Sequence, residues 1–371
     1  MTRQLADLYF DDQDTYGALA LEAYEELIQQ RQTPELCFYA ANCALNLGEF
    51  SKSEHYSRMA LELDPDDIDA WRNLALLAEY AGDQELALQR INRSAQCMWD
   101  SGLCYDWLIY HQVKILSRLG RPAEALAIIE DAVARGNMEN GFQMRFDLCC
   151  QFGLWDQVEQ LLAQWQRANR NDPNYHKANG QYHLLRGKLL KATFAFGKVK
   201  HQMDRVEESH LRVQLCELEA NYKRVAELLA KELEQDGDQT HTLTNLALAL
   251  RWSGDAEGAN RVARKGLAVL DELLTHYQKD EPLYRTRRSA LLAILGRIDE
   301  ARAELESARA KPLCRNCAYG KCKDADIFES YIEEIIGNRS RAMELNLLGQ
   351  KNWPDELDFR SGEIRLKKKK G

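Results

Sequence analysis

Proline is scarce in this chain, with seven in 371 residues, and strand-like stretches are missing. Long segments rich in Ala, Leu, Glu and Arg favour helix instead. No segment approaches the roughly 18 consecutive apolar residues that a membrane-spanning helix needs. The opening Met1-Thr-Arg-Gln-Leu-Ala-Asp-Leu-Tyr-Phe-Asp-Asp puts acids where a secretory signal requires an apolar run, so a soluble, cytoplasmic protein is expected. Basic excess is also missing: 49 Lys and Arg face 58 Asp and Glu, for a formal net charge of -9 and a pI near 5.5. That balance leaves no broad positive surface for nucleic acid. The one basic run, Lys367 to Lys370, repels itself and buries nothing, which predicts a solvated tail over 363–371. No Gly-rich phosphate loop, Gly-x-Ser-x-Gly or His-Glu-x-x-His occurs, and carboxylates on helix surfaces imply solubility more than catalysis. No enzymatic activity is expected.

What the chain does have is a period. A glycine between an apolar helix and an Ala-containing one recurs at Gly48, Gly82, Gly120, Gly153, Gly187, Gly254, Gly296 and Gly337, with Ala220 taking the slot once. Consecutive marks stand 34, 38, 33, 34, 33, 34, 42 and 41 residues apart. This is the repeat length of a helix-turn-helix unit of about 34 residues. The best unit runs Cys37, Ala40, Ala41, Ala44, Gly48, Phe50, Ser53, Ala60, Pro65, and the next Trp71, Leu74, Ala75, Ala78, Gly82, Ala87, Ser94. Small residues let partner helices approach, and apolar residues at helical spacing supply a buried stripe. A single hairpin cannot hide both apolar faces, so the units must stack.

These residues and their spacing resemble the tetratricopeptide repeat family over nearly the whole chain. The resemblance implies an all-α, right-handed superhelical solenoid of about eight units, with the first helix of each lining a concave groove. Residues 1–311 are assigned to the repeats and an N-terminal cap, with Leu5 to Phe10 as a short first helix and Thr15 to Gln30 as its partner. Residues 325–362 are assigned to a final repeat and cap. Extra residues between Gly254 and Gly296 continue a helical pattern from Asp255 to Gln278, which lengthens one helix by about two turns.

Transferring the family's groove positions to this chain gives Phe38, Asn42, Arg72, Asn73, Glu79, Trp107, Tyr110, Lys114, Gln143, Asp147, Lys177, Gln181, His210, Gln214, Glu217, Thr244 and Arg251. Amide, aromatic and mixed-charge groups suit an extended or helical peptide, so the expected role is a scaffold or adaptor holding a protein segment. Some family members clamp a chaperone's C-terminal carboxylate with two asparagines and flanking cations. Asn42 and Asn73 take the asparagine slots, but Phe38, Trp107 and His111 stand where the cations belong, and a carboxylate then lacks its partners. His176 and His183 lie seven apart on one predicted helix face, at packing positions of the repeat, and are read as core or half-exposed residues.

Ten cysteines look like a disulfide inventory until they are placed. Cys37, Cys43, Cys97, Cys104, Cys149, Cys150 and Cys216 are scattered through helical patterns and are expected to be buried free thiols. The insert over 312–324 carries Cys314, Cys317 and Cys322 as Cys-x2-Cys-x4-Cys. Three readings stay open for it: a zinc site lacking a local fourth ligand, thiols that staple or merely occupy the loop, and a redox pair whose thiols are acidified by Arg315, Lys321 and Lys323. A metal- or redox-responsive regulator is therefore the alternative to the scaffold.

Overall fold

The computed structural model describes residues 3–11, 13–103, 105–135, 141–276, 281–310 and 322–368. Among these residues there is no β-strand. The chain divides into two compact units, one up to Gly141 and one from Phe142 onward. The first contains α1 (Arg3–Asp11), α2 (Gln13–Gln30), α3 (Pro34–Asn46), α4 (Phe50–Leu63), α5 (Ile68–Tyr80), α6 (Gln84–Asp100), α7 (Asp106–Arg118) and α8 (Pro122–Ala134). The second begins at α9 (Gly141–Gln151), α10 (Trp155–Ala168), α11 (Pro173–Leu185), α12 (Leu189–Gly197), α13 (Arg205–Leu218) and α14 (Tyr222–Asp236). It continues with α15 (Thr240–Ser253), α16 (Ala256–His276), α17 (Glu281–Ile294), α18 (Ile298–Arg309), α19 (Lys323–Ile335), α20 (Arg339–Asn352) and α21 (Leu357–Lys368).

Each odd-numbered helix from α3 to α19 turns into its even partner at a recurring mark, and the backbone explains the mark. All eight glycines have positive φ, and so does Ala220 at φ 50. The left-handed residue turns the chain so that the next amide reaches the carbonyl five residues back. Glu49 N donates to Ala44 O at 2.8 Å, and Asn338 N to Glu333 O at 2.8 Å. This closes orphan carbonyls at the helix end. Helix starts are fixed as deliberately. Asp67 accepts from the Ala70 amide at 2.7 Å, and Asp204 with Glu207 forms a reciprocal capping box, each worth about 1 kcal/mol.

Five residues after every mark stands a small or β-branched side chain at the heart of the hairpin: Ser53, Ala87, Ala125, Val158, Ala192, Val225, Ala259, Ala301 and Ala342, all at 0–1% exposure. These positions set how closely the two helices approach, and larger groups fill the remainder of the core. The first helices of neighbouring hairpins touch directly, α3 with α5, α15 with α17 and α17 with α19. That puts the first-helix side on the inside of each stack. Side chains also lock one helix to the next: Ser94 Oγ donates to the Ile68 carbonyl at 2.7 Å and Arg90 to the Leu74 carbonyl at 2.8 Å. At the start of the first unit, Tyr24 stacks on Tyr39 with centroids 5.1 Å apart, and Arg3 lies over Tyr39, so α1 and α2 cap the first repeat. Helix α16 has 21 residues, which accommodates the longer interval before Gly296.

The C-terminal segment departs from expectation. Residues 363–368 belong to α21, with Arg365 and Leu366 each at 2% exposure, so the predicted solvated tail is helix as far as Lys368. The reason is an apolar stripe at helical spacing, Phe359, Gly362 and Leu366, which continues into the basic run. Phe359 lies so close to Gly349 of α20 that a Cβ there would stand 2.1 Å from the ring. Of the cysteine insert, Cys322 is half-buried at the start of α19, while Cys314 and Cys317 lie outside the described residues, as do Cys104, Lys369 and Lys370.

Candidate functional site

In the first unit, the expected groove residues are Phe38 and Asn42 on α3, Arg72 on α5 and Trp107, Tyr110 and Lys114 on α7, of which Arg72 and Trp107 meet. Tyr110 is 58% exposed and Trp107 40%. Tyr105 stacks on Trp107 at 5.6 Å and 20°, and the Arg72 guanidinium lies 4.8 Å from the Trp107 centroid, a cation–π contact that holds the indole in place. Asn42 accepts from Asn46 at 3.0 Å. Asn73, expected beside them, is wholly buried with neither amide atom hydrogen-bonded. It packs the hairpin rather than facing the groove, which removes the second half of the asparagine pair. Glu79 is buried too, accepting from His111 and Arg118. Burial would raise its pKa, but the His111 hydrogen bond and the charges of His111, Arg118 and Lys114 outweigh it and hold the carboxyl below its ordinary value. This buried triad fixes α5 against α7 beneath the aromatic row.

In the second unit the expected groove residues scatter in role. Gln143 donates to Asp147 at 2.8 Å, Lys177 pairs with Glu207 at 2.7 Å, and exposed His210 contacts Gln214 at 3.4 Å. Gln181 is half-buried and Arg251 exposed. Thr244 is 1% exposed and donates to the Thr240 carbonyl at 2.8 Å, so it belongs to the core, because its position on α15 faces the neighbouring helix. His176 and His183 are buried and half-buried, and burial lowers both pKa values.

The chain itself stands against this face. The Asp147 carboxyl is pushed up to about 6, by desolvation first, with the Gln143 hydrogen bond opposing and the Asp355 charge adding to it. Glu217 feels both Arg365 and Glu356, and burial pushes it up to about 7. Helix α21 packs on α13, α19 and α20, tying the last hairpin to turns far earlier in the sequence. Pro354 covers Gly153 and Arg360 covers Gly187, while Lys368 donates to the Glu219 carbonyl. Arg365 is the centre of this closure. Its guanidinium pairs with Glu334 at 2.7 Å, donates to the Tyr222 hydroxyl at 2.6 Å and lies 3.5 Å from the Trp252 centroid, with Tyr331 completing an aromatic box. Tyr222, Trp252, Tyr331, Glu334 and Arg365 were not among the expected site residues. The only signal for them is the helical stripe running through the C-terminal residues.

Among the described residues, no group of three or more His, Cys, Asp or Glu is arranged to hold a metal ion, and no helix is long and apolar enough to cross a membrane.

No protein-family model matches the chain, and none of the curated proteins matches it in sequence. Solved structures do. A chain of the APC/C hetero-tetramer Cut9–Hcn1 superposes at a TM-score of 0.51 and 13% identity, covering 94% of this chain and 66% of that one. The Naa15/Naa10 complex bound to HypK-THB matches at 0.36 and 14%, covering 99% of this chain and 60% of that one. Yeast Tom70 matches at 0.35 and 12%, covering 99% and 96%. The chain thus spans less than two thirds of the length of the first two. The first of these likenesses carries the fold alone, and that fold is the one the repeats build for themselves: the chain is a helical solenoid with the tetratricopeptide-repeat fold.

Proposed function

We propose that the protein is a non-catalytic interaction scaffold whose first unit holds a segment of a partner protein on the inner face of α3, α5 and α7. The observation that carries this reading is the aromatic row of Tyr105, Trp107 and Tyr110, three exposed rings gathered at the start of one inner helix beside Arg72. Exposed tryptophan and tyrosine with an adjacent arginine are the residue types that dominate binding energy at protein interfaces, and a preformed row on rigid helices loses little freedom on binding. In the second unit the inner face is already contacted by the C-terminal segment, so the open surface there is smaller.

Peptides selected from a random display library against the whole chain test the proposal. Those that bind the first unit should lose about tenfold or more in affinity with Trp107→Ala and with Tyr110→Ala, while both variants keep the parent's helical circular dichroism at the assay temperature. Peptides that bind both variants as well as the parent would place recognition elsewhere and refute the assignment of this face.

A further inference from the structure

Where the C-terminal segment crosses the second unit, it leaves a pocket of about 390 Å³, within the size range of small-ligand sites. Its apolar wall comes from Phe152 and Trp155 at the α9–α10 turn and from Pro354 and Leu357 of the C-terminal segment. Three cations border it: Arg186 at the end of α11, Lys351 of α20 and Arg360 of α21. Arg205, Arg285, Arg302 and Arg365 of this unit each hold a carboxylate, while Arg167 donates to a backbone carbonyl. Among the described residues, Arg186, Lys351 and Arg360 hold none. The one acid in the wall, Glu356, is engaged by Lys323 at 2.8 Å. Arg186 lies over the Trp155 ring at 5.1 Å, and an Arg360 nitrogen stands 3.0 Å from where a Cβ on Gly187 would be, so both guanidinia border the same space. Burial, together with the like charge of Arg186, lowers the pKa of Arg360 by more than the Glu363 charge raises it, as expected of a cation without a bound carboxylate.

We propose that this pocket binds a small ligand in which a carboxylate or phosphate is attached to a ring-sized apolar body. The oxyanion bridges Arg186 and Arg360, with Lys351 at the mouth, and the apolar body packs on Phe152, Trp155 and Leu357. Paired guanidinia suit either oxyanion, because their planar donors match its oxygens. Since one wall is the C-terminal segment, only the docked form presents the complete site. The ligand therefore favours docking by mass action.

Calorimetric titration of the full chain with phenyl phosphate, with hippurate and with neutral benzyl alcohol tests the proposal. At least one of the two anions should bind and the alcohol should not. Tighter binding of phenyl phosphate identifies a phosphorylated ligand, and tighter binding of hippurate a carboxylate. Arg186→Gln and Arg360→Gln should each weaken the bound anion about tenfold or more, the worth of a charge-assisted contact. Trypsin cleavage after Arg365 and Lys367 should slow about tenfold at a ligand concentration ten times Kd. Arg186 sits on an exposed turn outside the C-terminal segment, so its variant decides the matter even if Arg360→Gln loosens α21. Absence of binding by both anions at millimolar concentration, or binding equal to the parent in Arg186→Gln, overturns the proposal.

Discussion

Replacing Arg365 by alanine should release the C-terminal helix while leaving the repeats folded. The side chain is 2% exposed, and its partner Glu334 is equally enclosed at 3%. Truncation therefore removes a bidentate ion pair, the Tyr222 hydrogen bond and the cation–π contact with Trp252, and it takes the arginine partner from a carboxylate that lies in the protein interior. Breaking one side of a buried pair costs about 3–5 kcal/mol, and the aromatic contact adds to it. At 1.4 kcal/mol per factor of ten, the undocked population rises roughly 100- to 1,000-fold or more. Native-state trypsin digestion followed by intact mass reads this directly, because cleavage after Arg360 and Lys367 tracks the open population when reclosing is fast. Local release gives cleavage confined to the last residues, whereas global unfolding gives cuts throughout the chain. Replacing both partners, Arg365→Met with Glu334→Leu, should restore much of the protection, since no buried carboxylate is then left without its arginine. A cleavage rate for Arg365→Ala within twofold of the parent would refute the role given to this residue.

Two further variants test the turn geometry and the charge on the inner face. Glu217 carries a folded-state pKa of about 7 against an ordinary 4.5, chiefly from burial and also from the Glu356 charge, with Arg365 opposing. The folded form therefore keeps a proton that the unfolded form gives up, so stability falls as pH rises from about 4.5 through 7, by roughly 3 kcal/mol at most. Glu217→Gln should match the parent near pH 5 and exceed it at pH 8 in urea denaturation; equal stability at both pH values would contradict the assigned shift. Ala220 holds the left-handed conformation that glycine occupies at the other eight marks. Ala220→Gly should stabilise the second unit by roughly 1 kcal/mol, read as a higher urea midpoint, and a lower midpoint would show that the methyl group packs better than the backbone strain costs.

The repeat architecture was legible because its signal is local and recurs. A left-handed turn admits few residues, so Gly48 through Gly337 announce themselves, and even the exception at Ala220 keeps the spacing. The same logic explains the positions that the structure corrects. A groove register carried over from a family places Asn73 and Thr244 on the inner face, but a shift of one residue on a helix turns a side chain by about 100°, enough to move both into the core. Trp107 and Tyr110 behave differently: with no packing slot in the hairpin, both rings stay exposed on α7.

The C-terminal closure was not legible, and the reason is range. Arg365 reaches Tyr222 across 143 positions of sequence, a separation about which neither composition nor period says anything. Four lysines suggested a tail because like charges repel, yet the preceding turn of helix buries Phe359, Arg365 and Leu366, and that burial decides the conformation. The first lysines follow as the exposed last turn of α21, where positive charge also suits the helix C-terminus. An arginine enclosed by tyrosine, tryptophan and glutamate is a strong local determinant only once the distant repeats are assembled around it. The closure therefore depends on the completed second unit, and the release of α21 should precede, rather than accompany, loss of the hairpins beneath it.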